Sequence, residues 1–437
     1  MFAAPIANLM NLSLSTSTVP RQWKIASILP VPKVSSPVTP SDFRPISITP
    51  VLSRMMERIV VKDFIYPSLH SPPQGLDFSD QFAFQPTAST TAALIHLLHT
   101  ISVMLETNPY VIVYAIDFSK AFDSVRHHTL LEKYAMLQLP DNVYNWIESF
   151  FHGHSHCTKF NGKVSSVKDI LASIVQGSAI GPASYVVTAS DLSPITPGNV
   201  MSKYADDTYL IVPASNIHSI ASEIQHIEEW AKRNNLKLNR TKSVEIVITA
   251  PRSRRLIVVP PPAVPGFARV DSITALGVTF SNKLSFTEHI DTLLVRCAQT
   301  VFALRTLRAH GMPDSAIHVV FQTVIIAKLS YAAPAWWGYT TANDRERIDA
   351  FLRRSTRQRY RPADSQTFDE ICSAADDRLF TKVVGDNNHL LHRLLPQQRT
   401  QHYAFRSRPH NYVLPVKTAI NNHNFITRML YMDYCYH

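Results

Sequence analysis

The spacing of apolar residues changes period several times along this chain, and each change marks a predicted element. Tyr110-Val111-Ile112-Val113-Tyr114-Ala115-Ile116 is a nearly continuous apolar run with β-branched residues, the composition of a strand buried on both faces, and it ends at Asp117. Residues 202–212 read as a hairpin: a short strand, a tight turn carrying Asp206 and Asp207, and the returning strand Thr208-Tyr209-Leu210-Ile211-Val212. Helical spacing predicts helices over Val51–Tyr66 with a stop at Pro67, and over Ser89–Leu105, Thr129–Leu137, Asn142–Phe151, Ser219–Asn235, Glu288–Arg308 and Asp344–Tyr360. In the fifth of these, Ile220, Ile224, Ile227, Trp230 and Ala231 share one face, which reads as core.

Between these elements the chain is punctuated by weaker signals. Residues 1–19 give a short apolar helix and a Ser/Thr-rich stretch, Trp23–Lys33 is strand-like, and Val34–Asp42 is a Ser/Pro-rich loop. Residues 152–163 predict a polar loop with His152, His154, His156 and Cys157; a metal site there competes with a solvated loop, and no second ligand pair at zinc spacing supports the metal. Pro251 to Pro265 reads as a surface connection, and Ser272–Phe280 as strand around Leu276-Gly277. The run Ile317–Trp337 is apolar, but Gln322, Lys328 and Pro334 interrupt it, which favours a helix buried in protein over a membrane span. From about residue 362 the chain is polar and weakly periodic.

Length and charge narrow the class. At 437 residues with 45% hydrophobic positions the chain can build two to three domains. The 43 Lys and Arg exceed the 33 Asp and Glu, giving a net charge of +10 and a partner that is polyanionic, either nucleic acid or an anionic membrane surface. Cys157, Cys297, Cys372 and Cys435 show no paired spacing, which argues against a disulfide scaffold and for a reducing, intracellular setting, nuclear or cytoplasmic. No Lys or Arg precedes Arg21, so the charged start of a signal peptide is missing.

An Asp-Asp pair alone is most often a solvated turn. Here, if the hairpin pairs beside the strand ending in Asp117, three carboxylates meet at one sheet end, where their repulsion is relieved by cations. Magnesium suits an all-oxygen site that leaves positions for water and phosphate, with manganese as the alternative. Two such ions about 3.5–4 Å apart can stabilise the attacking and leaving oxygens of a phosphoryl transfer. The arginines Arg353, Arg354 and Arg357 near the end of the 344–360 helix complement the helix dipole or face phosphates, two readings that the sequence leaves open.

Six segments occur in one order: Phe43-Arg44-Pro45-Ile46-Ser47, Gln81-Phe82-Ala83-Phe84, Asp117 to Asp123, Gln176 to Pro182, Tyr204-Ala205-Asp206-Asp207 and Ala275-Leu276-Gly277-Val278. This series resembles the reverse transcriptases of non-LTR, LINE-type retrotransposons, closest to the chicken-repeat-like branch, over about residues 20–310. The end of the chain, Asn424-Phe425-Ile426-Thr427-Arg428, is similar to the end of those reading frames. The resemblance implies an α+β right hand with a ferredoxin-like antiparallel palm, helical fingers and a helical thumb. Residues 1–106 would be fingers with an N-terminal extension, 107–125 the first part of the palm, 126–175 a fingers insertion, 176–280 the second part of the palm, 281–361 the thumb, and 362–437 a segment without assignable role.

The implied activity is RNA-directed DNA synthesis, with an RNA template, a DNA primer, deoxynucleoside triphosphates and two magnesium ions. Asp117 and Asp206 match the bridging metal ligands, Asp207 the looser third carboxylate, and the Phe118 carbonyl a further ligand. Phe122 matches the bulky side chain beneath the sugar, where a ring would collide with a ribose 2′-hydroxyl; a plain core role is the alternative. Gln176 and Gly177 match the loop against the incoming nucleotide, and Arg44 and Lys33 the cations that neutralise its triphosphate. Lys242 resembles the lysine that protonates pyrophosphate, although a lysine after a helix is more often solvated, and Leu276-Gly277 the turn that supports the primer end. Arg353, Arg354 and Arg357 would then meet the primer–template phosphates.

The chain departs from the pattern at Gln85, where an arginine is common, and at Ser173-Ile174-Val175, where Gly-Val-Pro is common. Both put affinity or loop geometry in question without touching the carboxylates. The start of the chain at the edge of the fingers implies that an upstream endonuclease domain is absent and that any nick comes from an endonuclease in trans. A catalytically silent nucleic-acid-binding remnant is the competing reading. A phosphohydrolase is a third, for which the expected water-positioning motifs are missing.

Overall fold

The structure, a computed structural model, describes residues 2–170, 172–249, 260–398 and 410–432. Part of the proline-rich connection, 251–259, and Cys435 lie outside the described residues.

The chain opens with helix α1 (Ala3–Ser15) and a sheet made by β1 (Ile25–Pro32) and β2 (Phe43–Ile48), antiparallel with Leu29 opposite Ile46. Helix α2 (Val51–Val60) continues through a wider turn at Val61–Ile65 to Leu69, two residues beyond the expected stop at Pro67. The wider turn accommodates a residue that has no N–H to give. Helix α3 (Thr90–Thr107) begins at Ser89, whose side chain accepts from the Ala92 N–H at 3.0 Å.

Strand β3 (Tyr110–Ile116) follows, and then α4 (His127–Met136), α5 (Asp141–Phe151) and β4 (Ser155–Phe160). The last of these corrects the expected polar loop at 152–163. It pairs in parallel with β1, Ser27 opposite Cys157, and His154 at its start is fully buried beside the Phe150 ring. Its residues alternate too little in polarity to announce a strand, and a partner so remote in sequence leaves no local trace.

Helix α6 (Ile180–Thr188), strands β5 (Val200–Tyr204) and β6 (Asp207–Pro213), helix α7 (Ile220–Arg233) and strand β7 (Val244–Thr249) complete the centre. The sheet order is β7-β3-β6-β5, antiparallel at each step, with a short parallel strand at Ala268–Arg269 on its edge. Numbered from β3, this is a βαββαβ unit in the order 4-1-3-2, the ferredoxin-like palm that the family resemblance implied. Ile246, Val113 and Ile211 line up across one face, while Ile112 and Val212 face the other way. Strand β3 is thus buried on both sides, as its uninterrupted apolar run requires.

One face packs on α3 and the other on α6 and α7. Beyond the palm, β8 (Ser272–Ala275) and β9 (Val278–Ser281) form a hairpin that leads into α8 (Thr287–Ala309), a helical stretch at 314–339, and α9 (Ala342–Arg357). The 314–339 stretch is long and apolar enough to cross a membrane, and it places Ile317, Phe321, Ile325 and Leu329 in the core shared with α3 and α8. The polar end of the chain forms α10 (Phe368–Gly385) and α11 (Phe425–Met432), whose Phe368, Val383, Phe425 and Leu430 join that same core. At Gly338 an added Cβ would lie 2.2 Å from the His423 carbonyl oxygen, so this closing segment presses directly on the thumb backbone.

Candidate active site

Strands β3 and β6 set the carboxylates. Ile116 pairs with Thr208, so the next step of the same register brings Asp117 opposite Asp207. Tyr204 pairs with Asp207, which leaves Ala205 and Asp206 as the turn, and Ala205 takes a left-handed φ of +55°. For a residue with a Cβ this costs about 1 kcal/mol, so the turn persists only where its surroundings hold it.

Asp117 is strapped from the other side. Its N–H donates to Ser243 Oγ at 3.0 Å, and its carbonyl accepts from the Asn239 N–H at 2.8 Å. The Lys242 N–H donates to the Asn239 carbonyl at 3.2 Å, and this compact turn carries Lys242 to the same cleft as Asp206. Phe118 pairs with Leu238 through the backbone and buries its ring 5.6 Å from Trp230, so its side chain belongs to the core.

The carboxylates feel one another. Partial burial and then the Asp117 charge raise the pKa of Asp206. Asp207 is exposed as a residue, yet desolvation of its carboxyl, followed by the charges of Asp206 and Asp117, lifts it to about 6. A cation among them would reverse both shifts. Among the described residues no three His, Cys, Asp or Glu side chains converge into a ready cage. The carboxylate oxygens of Asp117 and Asp206 are hard donors, a set that suits a hard ion held by one or two carboxylates, with water and substrate phosphate completing its shell.

The cleft in front of Asp206 has a volume of about 1440 Å³ and brings together Lys33, Arg44, Phe122, Gln176, Gly177 and Lys242. Arg44 lies on β2 and Lys33 directly follows β1, and both are exposed. Phe122 stacks on Tyr185 at 4.5 Å and 20°, meets Phe84 edge-on at 6.4 Å, and also lines the cleft. The two readings of Phe122, core and wall, describe one half-buried ring.

The Gln176–Gly177 loop is fixed to the fingers. Ser47 N–H donates to the Gln176 carbonyl at 2.7 Å, and a Cβ on Gly177, where φ is +108°, would lie 2.2 Å from the Ser47 carbonyl oxygen. The close approach that glycine permits is thus made to β2, the strand of Arg44. The Gln176 amide donates to Asp123 Oδ1 at 2.7 Å, which partly offsets the rise that burial imposes on that carboxyl.

Leu276-Gly277 forms the β8–β9 turn outside the cleft, with Tyr331 Oη donating to the Leu276 carbonyl at 3.0 Å. Leu276 also hydrogen-bonds Tyr209, two residues beyond Asp207. Arg353, Arg354 and Arg357 are exposed on α9 and do not line the cleft; Arg353 pairs with Glu346, and Arg353 and Arg357 border a separate cavity of about 680 Å³.

One contributor escaped the sequence reading, and another shows what a departure from the pattern does. Glu57, fully buried on α2, accepts from the Ala179 and Ile180 N–H groups at 2.6 and 3.1 Å and so caps α6 behind the Gln176 loop. The available signal was a lone acid between Met56 and Val60 on an otherwise apolar face. Gln85, standing where arginine is common, donates to the Phe78 and Gln81 carbonyls at 2.9 Å each, so the position keeps a loop-fastening role without the charge.

The profile of the reverse transcriptase (RNA-dependent DNA polymerase) family matches residues 31–280, which contain every one of these carboxylates and cleft residues. The chain belongs to that family. It is 28% identical over 65% of its length to the RNA-directed DNA polymerase from mobile element jockey of Drosophila melanogaster, covering 32% of that protein. It is 25% identical over 90% of its length to a probable RNA-directed DNA polymerase from transposon BS of the same fly, covering 46% of that protein. The chain therefore spans about a third to a half of these non-LTR retrotransposon relatives. A telomerase from Candida Tropicalis in complex with a telomeric RNA fragment superposes with a TM-score of 0.45 at 12% identity, over 89% of this chain and 64% of that one. Reverse transcriptases generally use divalent metal ions.

Proposed function

We propose that this chain extends a primer 3′-hydroxyl with deoxynucleoside triphosphates on an RNA template, in the copying of a retrotransposon. The observation that carries the reading is that strand register brings Asp117, from a separate stretch of chain, beside the Asp206–Asp207 turn, with Asp206 lining a cleft that Lys33, Arg44 and Lys242 also line. Acids at one end and cations around the wall are what a triphosphate and an attacking hydroxyl require.

Asp117 and Asp206, with the Phe118 carbonyl, would hold two magnesium ions, or manganese in their place, and Asp207 would tune their charge. Bound there, such ions supply charge neutralisation to the attacking and leaving oxygens. Arg44 and Lys33 bind the triphosphate from the fingers side, where the planar arginine fork can meet two phosphate oxygens at once. Gln176, oriented by Asp123, and Gly177, seated on Ser47, form the floor on which the nucleotide rests. Phe122, braced by Tyr185, excludes a 2′-hydroxyl. Lys242 donates a proton to the departing pyrophosphate from its exposed turn.

Outside the cleft, the Leu276-Gly277 turn supports the primer end, and Arg353, Arg354 and Arg357 meet backbone phosphates farther along the duplex. The free 3′-hydroxyl would come from a nucleic-acid end or from a strand-opening reaction such as that of an endonuclease. The substrates place the reaction inside the cell, in nucleus or cytoplasm. The test is primed synthesis on RNA by the purified chain with magnesium, beside Asp206→Asn. Synthesis by the wild type that is lost in the variant supports the reading. Synthesis that survives in the variant would refute it, and salt-sensitive binding without any synthesis would favour the silent remnant.

A further inference from the structure

The turn that carries Asp206 is held from behind by residues 80–83. Gln81 is 1% exposed: its Oε1 accepts from the Ala205 and Ala83 N–H groups at 2.9 and 3.1 Å, and its Nε2 donates to the Ala205 carbonyl at 3.3 Å. Phe82 N–H donates to the Lys203 carbonyl, and Lys203 N–H to the Asp80 carbonyl, both at 2.7 Å. The buried Lys203 ammonium then closes the frame, meeting the Asp80 carboxylate at 3.0 Å and the Ala189 and Leu192 carbonyls at 2.8 Å. Left-handed Ala205 sits at the centre of these bonds.

The frame is itself backed by a part of the chain remote in sequence. The Arg393 guanidinium donates to His96 Nε2 at 3.0 Å and lies 5.9 Å from the Phe82 ring, on which His96 also packs at 4.8 Å. Burial, and then the Arg393 charge, hold His96 neutral, so its ring nitrogen can accept. The Leu390 N–H donates to Thr87 Oγ1 at 3.2 Å and fastens the far end of the same loop. Arg393 also bears on Asp80 and Asp77 through its charge. Residue 393 taken as a whole is exposed, so a substitution there opens no buried core.

We propose that Gln81 and Arg393 are positioning residues: segment 389–394 braces the 80–87 loop, and Gln81 passes that constraint to Ala205, setting where the Asp206 and Asp207 carboxylates stand. The inference rests on the polymerase reading above and gives the segment beyond the thumb a role at the site. Carboxylates displaced by about an ångström misplace the reacting oxygens, a loss on the order of a hundredfold, and hold a divalent cation less well.

The test compares the full chain with Gln81→Met, which keeps volume and loses the amide bonds, and with Arg393→Ala, Arg393→Lys and the double variant Gln81→Met, Arg393→Ala. Two readouts are used: steady-state primed synthesis on RNA, and binding of Mn2+ alone followed by electron paramagnetic resonance. Gln81→Met should lower kcat about a hundredfold, leave KM for the nucleotide within about twofold, and weaken Mn2+ binding about tenfold. Arg393→Ala should lower kcat about tenfold, and Arg393→Lys should recover part of it. Because the two act in series, the double variant should be no worse than Gln81→Met alone.

Variants that melt like the wild type but keep its kcat and Mn2+ affinity would overturn the inference, and so would a double variant whose losses multiply. If Gln81→Met fails to fold, the two Arg393 variants decide by the same criteria. A wild-type chain that binds Mn2+ but makes no DNA would remove the polymerase reading instead, and the brace would then stand or fall on the Mn2+ affinities.

Discussion

The two faces of the palm sheet are built from the same strands and used differently. Val111, Val113, Ile211 and Ile246 pack into a core with α3, the thumb and the closing helices, and most of that core lies away from the cleft. Ile112, Tyr114, Leu210 and Val212 pack with α6, α7 and the fingers, in a core that also takes in Phe118, Ile174, Tyr185 and the inner side of Phe122. On this second face the core and the cleft share Ala121, Phe122 and Ile174. Away from Phe82 and the 389–394 segment that backs the acid turn, damage to the first core should cost stability alone, whereas damage to the second should reach the chemistry as well.

The largest expected effect separates charge from packing altogether. Asp206→Asn should lower primed synthesis on the order of a thousandfold, while the metal-free protein melts no lower than the wild type, because a repulsive charge has been removed. Activity and thermal melting measured on one preparation check both halves.

Next comes a pair of core truncations, one on each face. Trp230→Ala and Phe368→Ala each empty a fully buried aromatic site and should destabilise by about 3–5 kcal/mol in denaturant titration. Only Trp230 lies against Phe118, so its variant alone should also lose about tenfold in kcat at a temperature where both remain folded. Equal kcat values in the two variants would erase the distinction between the faces.

A smaller effect probes the residue that belongs to core and cleft at once. Phe122→Val should raise ribonucleotide incorporation relative to deoxynucleotide by about tenfold and cost about 1–2 kcal/mol of stability. An unchanged sugar preference would leave Phe122 a core residue only.

The smallest expected effect is a pH dependence. Asp207 is raised from the usual 3.8 to about 6, so the folded metal-free chain binds its proton more tightly than the unfolded one. The associated stability is present below the ordinary carboxylate value and is lost as pH rises through about 6. Asp80, lifted to about 6 chiefly by burial, contributes in the same window. Melting temperature without metal should therefore fall across that range. Magnesium should remove the part due to Asp207 and leave the part due to Asp80, which lies at the back of the turn with Lys203.

Much of the palm was legible in the sequence because its signals are local. A strand buried on both sides needs an unbroken apolar run, and Tyr110–Ile116 has one; an acid at its end and two acids in a hairpin turn are visible without any fold. The 152–163 segment was not legible. Ser155, His156 and Thr158 carry no apolar alternation, and what makes them a strand is the edge of β1, supplied from the far side of the fingers. Gln81 stood in one of the six segments without a role, and Glu57 was passed over, for a related reason: a buried polar side chain looks like any other until the backbone groups it serves are in place.

The order of motifs, the chemical type of each candidate group and the central strand follow from the sequence alone, since they depend on residue identity and short-range periodicity. Tertiary structure alone decided which groups share the cleft, that the thumb arginines stand outside it, and that a loop near residue 81 and a segment near residue 393 stand behind the acid turn. The physical reason is that hydrogen-bond partners, desolvation and charge coupling depend on distances through space, and separation along a chain does not determine those distances.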